Sequence, residues 1–356
     1  MNISVRRIEK FTEWDMLSEG FHGSVFISRA WLECIANEVR KPFLLQFFHK
    51  NERIAVLGGI EAPLKTPGRK HLICYAGLFF KEQDTTLIYN CKTALHTYAR
   101  ENNYYRITLK SYDHHGYWFV PHKKFFTYHR MEYILDLSKG KENLIQNFDP
   151  DFRRRVRKAE REGAVFKQSY AAALVDSLFD LLDKTQQTRK AKGYDNYTYL
   201  FLPLFDKPEV EKLVKRKAAR FFYVEYLSKI VCIQLIIAHQ GKAYGILMGT
   251  DPMGYKLGAP SFIFQKGIEA LCNEGFLYYN LGGVQPGKNH GGLKQFKDSL
   301  GAEIMQSVEE TTHFIKYPFS LLNPALGLKR FLQHAKFIPW KIKKPIIRLA
   351  DYLTDK

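Results

Sequence analysis

Cysteine is scarce in this chain and shows no pairing pattern. The five residues, Cys34, Cys74, Cys91, Cys232 and Cys272, are odd in number and contain no C-x-x-C pair. That excludes zinc-ribbon spacing and argues against a disulfide framework, so reduced, mostly buried thiols are expected. Long apolar runs are absent too, and nothing approaches the roughly 20 residues of a membrane-spanning helix. The opening residues MNISVRRIEKFTEWDM carry no apolar h-region of a signal peptide. A cytoplasmic location is the expectation. Histidine offers little: His114-His115 and His122 share the stretch YDHHGYWFVPH, but no carboxylate or thiolate completes a recognised metal spacing. That stretch reads as a solvated loop with a few packed aromatics, and no metal site is expected.

Acidic residues are in the minority, 36 Asp and Glu against 54 Lys and Arg, for a formal charge of +18. This balance favours a polyanionic partner: nucleic acid, a nucleotide- or pyrophosphate-linked substrate, or an anionic membrane face. The 356 residues are long enough for about two domains, with 27 Phe and 21 Tyr to fill their cores. Two passages follow one plan. In the first, strands at Leu44–Phe48 and Ile54–Ile60 are expected to form a hairpin, followed by a helix over Thr86–Glu101 and a strand at Tyr105–Leu109. In the second, antiparallel strands at Phe221–Tyr226, Val231–His239 and Ala243–Thr250 precede a helix over Ser261–Asn273 and a strand at Leu277–Leu281. Two similar α+β units side by side account for both length and pattern.

The best-punctuated helix lies between them. Asp149 suits an N-cap, Pro150 the first helical position and Gly163 the C-terminal stop. Phe152, Val156 and Ala159 make a core stripe, while Arg153, Arg157 and Arg161 recur at i, i+4 and i+8 beside Arg154 and Lys158. Like charges at that spacing repel, and a bound phosphate would relieve the repulsion. A solvated face is the plainer reading. A second amphipathic helix is expected to turn Leu174, Leu178, Leu181 and Leu182 inward. From about Pro318 the chain becomes helical and basic. Trp340, Ile342, Ile346, Ile347 and Leu349 alternate there with Lys341, Lys343, Lys344 and Arg348. Docking on the body of the protein and peripheral contact with an anionic membrane both fit this pattern, and Pro345 is expected to disturb a long helix.

The stretch YYNLGGVQPGKNHGGLKQFKDSLG, Tyr278 to Gly301, reads as an apolar strand, a glycine-rich loop and a helix carrying Phe296 and Lys297. Gly282, four residues, then Gly287-Lys288 imitates a phosphate loop, but Asn289 stands where the Mg²⁺-binding Ser or Thr belongs, so an NTPase is disfavoured. No helix-turn-helix spacing, zinc finger or stacking motif marks a nucleic-acid reader.

The combination D-x-R-R-x-V-R-K-A-x-x-x-G at Asp151–Gly163 and Y-x-N-L-G-G…G-L-x-x-F-K-x-x-x-G at Tyr278–Gly301 resembles the FemAB-like branch of the GNAT acyltransferases. That branch includes enzymes that add amino acids to peptidoglycan precursors, and acetyltransferase relatives in polysaccharide and envelope pathways. The resemblance implies an α+β fold with tandem GNAT-like domains and mixed, mostly antiparallel sheets flanked by helices. The expected divisions are 1–135, 136–317, and a basic tail over 318–356 packed on the first domain. The implied activity is acyl or aminoacyl transfer to an amine of a cell-envelope precursor or glycan. By position, Lys297 matches the catalytic lysine, and Arg153, Arg154, Arg157, Lys158, Asn280, Gly282, Gly283 and Phe296 match substrate-binding positions. Family members commonly carry Asp where this chain has Asn280, and the Q/R-x-x-G-x-G/A loop that holds acetyl-CoA in ordinary GNAT enzymes is replaced by DPMGYKLGAPS. Acyl-CoA (acetyl-CoA) and aminoacyl-tRNA therefore both stay open as donor, with a phosphate-bearing or lipid-linked envelope precursor as acceptor. Location at the inner membrane face fits such a precursor. The alternative from a different class is a non-catalytic, basic nucleic-acid-binding protein.

Overall fold

Tight turns organise the sheets. Lys50-Asn51, Leu227-Ser228 and Gln240-Gly241 all have positive φ, the conformation of two-residue hairpin turns whose twist matches that of the flanking strands. Each joins two antiparallel strands in the computed structural model, which describes residues 2–353 apart from 20–23, 65–68, 83, 115–119, 194–197, 200, 285–290 and 336–337. The chain divides into two units, Met1–His129 with Val308–Lys356, and Arg130–Ser307.

The first unit starts with β1 (Ser4–Arg7), α1 (Phe11–Glu19), α2 (Arg29–Ile35), β2 (Lys41–His49), β3 (Glu52–Pro63), β4 (Lys70–Cys74) and β5 (Leu78–Phe80). α3 (Thr85–Glu101) and β6 (Tyr104–Lys110) follow, and the chain leaves this unit within β7 (Phe125–Asp136). Asp84 caps α3 by accepting from the Leu87 amide at 2.9 Å. β1, β2, β3 and β4 pair antiparallel in that order, and β4 pairs parallel with β6. Phe43, Leu45, Leu57, Leu95 and Ile107 meet in the core between sheet and α3.

The second unit holds α4 (Lys141–Gln146), α5 (Pro150–Arg161), β8 (Val165–Ser169), α6 (Leu174–Ala191), α7 (Lys207–Lys215), β9 (Ala219–Tyr226), β10 (Lys229–His239) and β11 (Lys242–Thr250). It continues through α8 (Pro252–Leu257), α9 (Ala259–Asn273), β12 (Tyr278–Val284), α10 (Gly291–Asp298) and β13 (Glu303–Thr312), in which the chain returns to the first unit. The strand order is β7-β12-β11-β10-β9-β8. As in the first unit, the strands flanking the long helix run parallel to each other, here β11 and β12. This repeated β-hairpin, helix, parallel-strand plan is an α+β arrangement of two similar units. α11 (Asn323–His334) and α12 (Trp340–Leu353) complete the first unit.

Several local expectations change. On α6 the inward residues are Val175, Leu178, Leu181 and Leu182, with Leu174 half-buried, because the first turn starts one residue off the predicted stripe. α12 passes through Pro345. Pro345 is the sixth residue of this helix, so its missing N–H removes one backbone hydrogen bond without ending the helix. His114 and His122 are buried rather than solvated. His114 stacks on Phe79 at 4.0 Å and His122 meets the Thr93 hydroxyl at 3.0 Å. The phosphate-loop imitation at Gly287-Lys288-Asn289 and His115 lie outside the described residues. Among the described residues no helix is long and apolar enough to cross a membrane.

Candidate active site

The site grows from a strand that leaves its neighbour. β12 pairs parallel with β11 only at Lys242↔Tyr278, Ala243↔Tyr279 and Tyr244↔Asn280. Its pairing with β7 shifts register between Asn280 and Gly283. The break coincides with Gly282, whose φ of +77 lies in the left-handed region that side chains with a Cβ rarely adopt. Asn280 fixes the kink, its Oδ1 accepting from the Gly282 amide at 2.7 Å. At Gly283 an added Cβ would stand 3.2 Å from the Met131 carbonyl and would displace the end of the Arg130 side chain. The irregular stretch between Asn280 and Gly283 presents the carbonyls of Gly282 and Gly283 to a side chain of the following helix.

Lys297 of α10 uses them. Its Nζ donates to the carbonyls of Gly282 at 2.8 Å and Gly283 at 3.1 Å, and the side chain is only 5% exposed. Lysines on amphipathic helices usually face water, and this one is buried. An ammonium has three donors, so among the described residues one remains beyond the two carbonyl bonds. Nζ also lies 5.4 Å from the centroid of Tyr133, whose buried hydroxyl has no hydrogen-bond partner among the described residues. Burial pulls the Lys297 pKa down to about 7, the Arg130 guanidinium pushes the same way, and the Glu132 carboxylate opposes both. At neutral pH the charged and neutral forms are therefore both populated.

Glu132 went unnoticed in the sequence, although a carboxylate inside the apolar run MEYILDL is a visible signal. It is fully buried and accepts from Asn280 Nδ2 at 2.9 Å. An aspartate at position 280 would set a second carboxylate against Glu132, whereas the amide donates to it. Asparagine at this position thus suits its buried neighbour.

Phe296 packs 5.7 Å from Phe152 of α5 and 5.3 Å from Phe264 of α9, and so seats α10 beside Lys297. α5 forms as its caps dictate: Asp149 Oδ1 accepts from the Asp151 amide at 2.8 Å, and Gly163 takes φ +83 just past the end. Its cations divide. Arg154 pairs with Asp151 at 3.2 Å, and Lys158 Nζ donates to the Lys256 carbonyl at 2.7 Å. The Arg153 and Arg157 side chains have no hydrogen bond or ion pair with another described residue, one turn apart on the same helix. The structure thus brings Asn280, Gly282, Gly283 and Lys297 together, with Phe296 behind them. The charged neighbours of Lys297 are Glu132 and Arg130, not the cations of α5.

α5 also covers the start of α9. Ala259 and Ser261 are buried, Arg155 Nε donates to the Ser261 hydroxyl at 3.2 Å, and a Cβ on Gly258 would stand 2.8 Å from the Arg155 carbonyl. The N-terminal amides of α9, a natural anion site on general grounds, do not face open space.

Residues 146–298 match the model of the acetyltransferase (GNAT) domain. Among curated proteins no sequence matches the chain. Among solved structures, FemX is similar with a TM-score of 0.64 and 12% identity, covering 86% of this chain and 97% of that one. L-PGS from Bacillus licheniformis gives 0.51 at 16% identity, covering 85% and 91%. A conserved protein of unknown function from Bacteroides thetaiotaomicron gives 0.54 at 11% identity, covering 87% and 99%. At these identities the structures speak for the fold, and the domain match speaks for acyl-transfer chemistry. Residues 146–298 thus carry a GNAT acetyltransferase domain, in a chain whose overall fold is similar to that of FemX.

Proposed function

We propose that this protein transfers an acyl or aminoacyl group to an amine of a cell-envelope precursor or glycan. The observation that carries the reading is the buried Lys297 ammonium at the kink of β12, with one donor unspent. An amine attacks an activated carbonyl, and negative charge gathers on the carbonyl oxygen as the new C–N bond forms. Lys297 supplies the fixed donor for that oxygen in a water-poor setting, where such a bond is worth most. Gly282 and Gly283 hold Lys297, and Asn280 and Glu132 hold Gly282. Arg153 and Arg157 offer the phosphates of substrate or donor two unpaired guanidinium groups. The GNAT domain favours acyl-CoA as donor. The start of α9 is covered by α5, which supports the basic surface of α5 as the seat of the donor's phosphates. The envelope acceptor rests on the resemblance of Asp151–Gly163 and Tyr278–Gly301 to FemAB-like enzymes.

The test is to incubate the protein with acetyl-CoA, or with aminoacyl-tRNA, and a nucleotide-linked amino sugar, and to weigh the products. A mass gain of one acyl group with acetyl-CoA is expected. If neither donor is consumed while short nucleic acids bind with a steep salt dependence, the protein is a basic nucleic-acid binder and the enzyme reading is wrong.

The tail supplies a membrane contact in the same reading. Ile342, Ile346 and Leu349 are exposed at i, i+4 and i+7 of α12, beside exposed Lys341, Lys344 and Arg348. Leu328 and Phe331 of α11 are also exposed. An apolar stripe with a basic rim suits the face of an anionic bilayer. Sedimentation with phosphatidylglycerol vesicles but not phosphatidylcholine vesicles is expected, and loss of it in Ile342→Asp/Leu349→Asp. Equal binding to both lipids, or an unaffected double variant, removes the contact.

A further inference from the structure

The first unit buries cationic groups that the proposed function does not use. Arg106 lies on β6, His313 follows β13 directly, and Arg330 lies on α11. The Phe126 ring ties two of them together: Arg330 Cζ stands 3.4 Å from its centroid, and the His313 ring meets it edge-on at 4.0 Å. Arg330 is 8% exposed. Its Nη2 reaches the Thr312 carbonyl at 3.5 Å, and the guanidinium also donates to the Tyr128 hydroxyl. Arg330 Nη1, Arg106 Nε and His313 Nδ1 are buried with no hydrogen-bond partner among the described residues.

Such an arrangement is costly by itself. A buried cation normally acquires a carboxylate, because desolvation without compensation costs several kcal/mol. The carboxylate that reaches Arg106 is Glu309, which already bonds Lys110. Arg330 has Arg106 as a charged neighbour, and the two repel. The same two guanidinium groups, together with burial, hold the His313 imidazole neutral, its pKa lowered to about 4. His71 of β4 feels burial and then Arg106 and Lys110 in the same way and falls to about 3. Basic side chains from β4, β6, α11 and the end of β13 thus meet in one region, where Glu309 is the carboxylate that acts on Arg106.

We propose that Arg106, His313 and Arg330 form a binding site for the phosphate or diphosphate group of a small soluble ligand. A phosphoryl group presents three acceptor oxygens, matching the three unspent nitrogens, and planar guanidinium groups suit it in bidentate fashion. Phe126 occupies the face of the Arg330 guanidinium and leaves the edge that carries Nη1 for the ligand. Burial of these nitrogens selects a small group over the surface of a bilayer. The site goes beyond the reading above, in which the anion-binding residues are Arg153 and Arg157 of the second unit.

The experiment reads the site itself, so anion binding on α5 does not enter. The His313 imidazole is followed by NMR across pH, identified by its absence from His313→Gln, with inorganic phosphate replacing chloride at constant ionic strength. A phosphate seated beside His313 stabilises the imidazolium, so the midpoint is expected to rise from about 4 by roughly 1 to 3 pH units. In Arg330→Gln, and in Arg106→Gln should the first variant fail to fold, the phosphate concentration giving half the shift is expected to rise about tenfold or more. A His313 midpoint that ignores phosphate, or one that moves equally in the folded variants, overturns the proposal.

Discussion

Replacing Lys297 by alanine is expected to lower kcat by on the order of 10²–10³, the usual loss when a fixed donor to a developing oxyanion is removed. KM should move little, because the third N–H gains its partner only as charge develops. The pH profile carries the same idea. If the ammonium is the working form, its contribution is complete below the Lys297 pKa and is lost as pH rises through about 7. Wild-type kcat should then show an alkaline limb near that pH which Lys297→Ala lacks. Glu132 opposes the depression of the lysine pKa, so Glu132→Gln should move the limb to lower pH. A Lys297-dependent rate that instead climbs through neutral pH would make the lysine a proton acceptor and end its role as donor. Unchanged turnover in Lys297→Ala would remove the residue from the chemistry altogether.

The parts of this site differed in how openly the sequence displayed them, and range explains the difference. α5 announces itself within a few residues: Asp149, Pro150 and Gly163 act on the nearest backbone groups, and the helix runs from Pro150 to Arg161 as they require. The hairpin strands extend the predicted ones by a few residues at their ends, because apolar alternation marks the centre of a strand better than its edges. The burial of Lys297 is not local. It depends on two carbonyls released by the positive φ of Gly282, on the other side of a loop, and on α10 being seated through Phe296. Helical periodicity alone leaves that lysine on the surface. Glu132 is a third kind of case, since its partner Asn280 comes from a strand far along the chain. A carboxylate in an apolar strand signals that a partner exists, but only the sheet order names it.

Breaking the ion pair between Lys92 and Glu310 should give the largest loss of stability. Both side chains are fully buried. Lys92 Nζ donates to Glu310 Oε1 at 2.8 Å and to the Val120 carbonyl at 2.9 Å, and it stands 2.7 Å from Glu310 Oε2. Thr127 Oγ1 adds a bond to Oε1 at 3.3 Å. Burial holds the Lys92 pKa below its ordinary value against the pull of Glu310, so the mutual attraction offsets part of the cost of burying the two charges. Lys92→Met leaves a buried carboxylate uncompensated and is expected to destabilise the first unit by about 3–5 kcal/mol in urea unfolding. Removing both charges should cost much less, since two desolvation penalties disappear along with one attraction. Lys92→Met/Glu310→Leu is therefore expected to recover a large part of the loss. A double variant as unstable as Lys92→Met would show that the cost lies in the packing of the methionine and not in the orphaned charge. Because Lys92 sits on α3 and Glu310 on β13, the pair joins the helix of the first hairpin unit to the strand on which the chain returns. Stability of this unit then depends on a contact between residues widely separated in sequence, which is why neither charge stood out from its own neighbours.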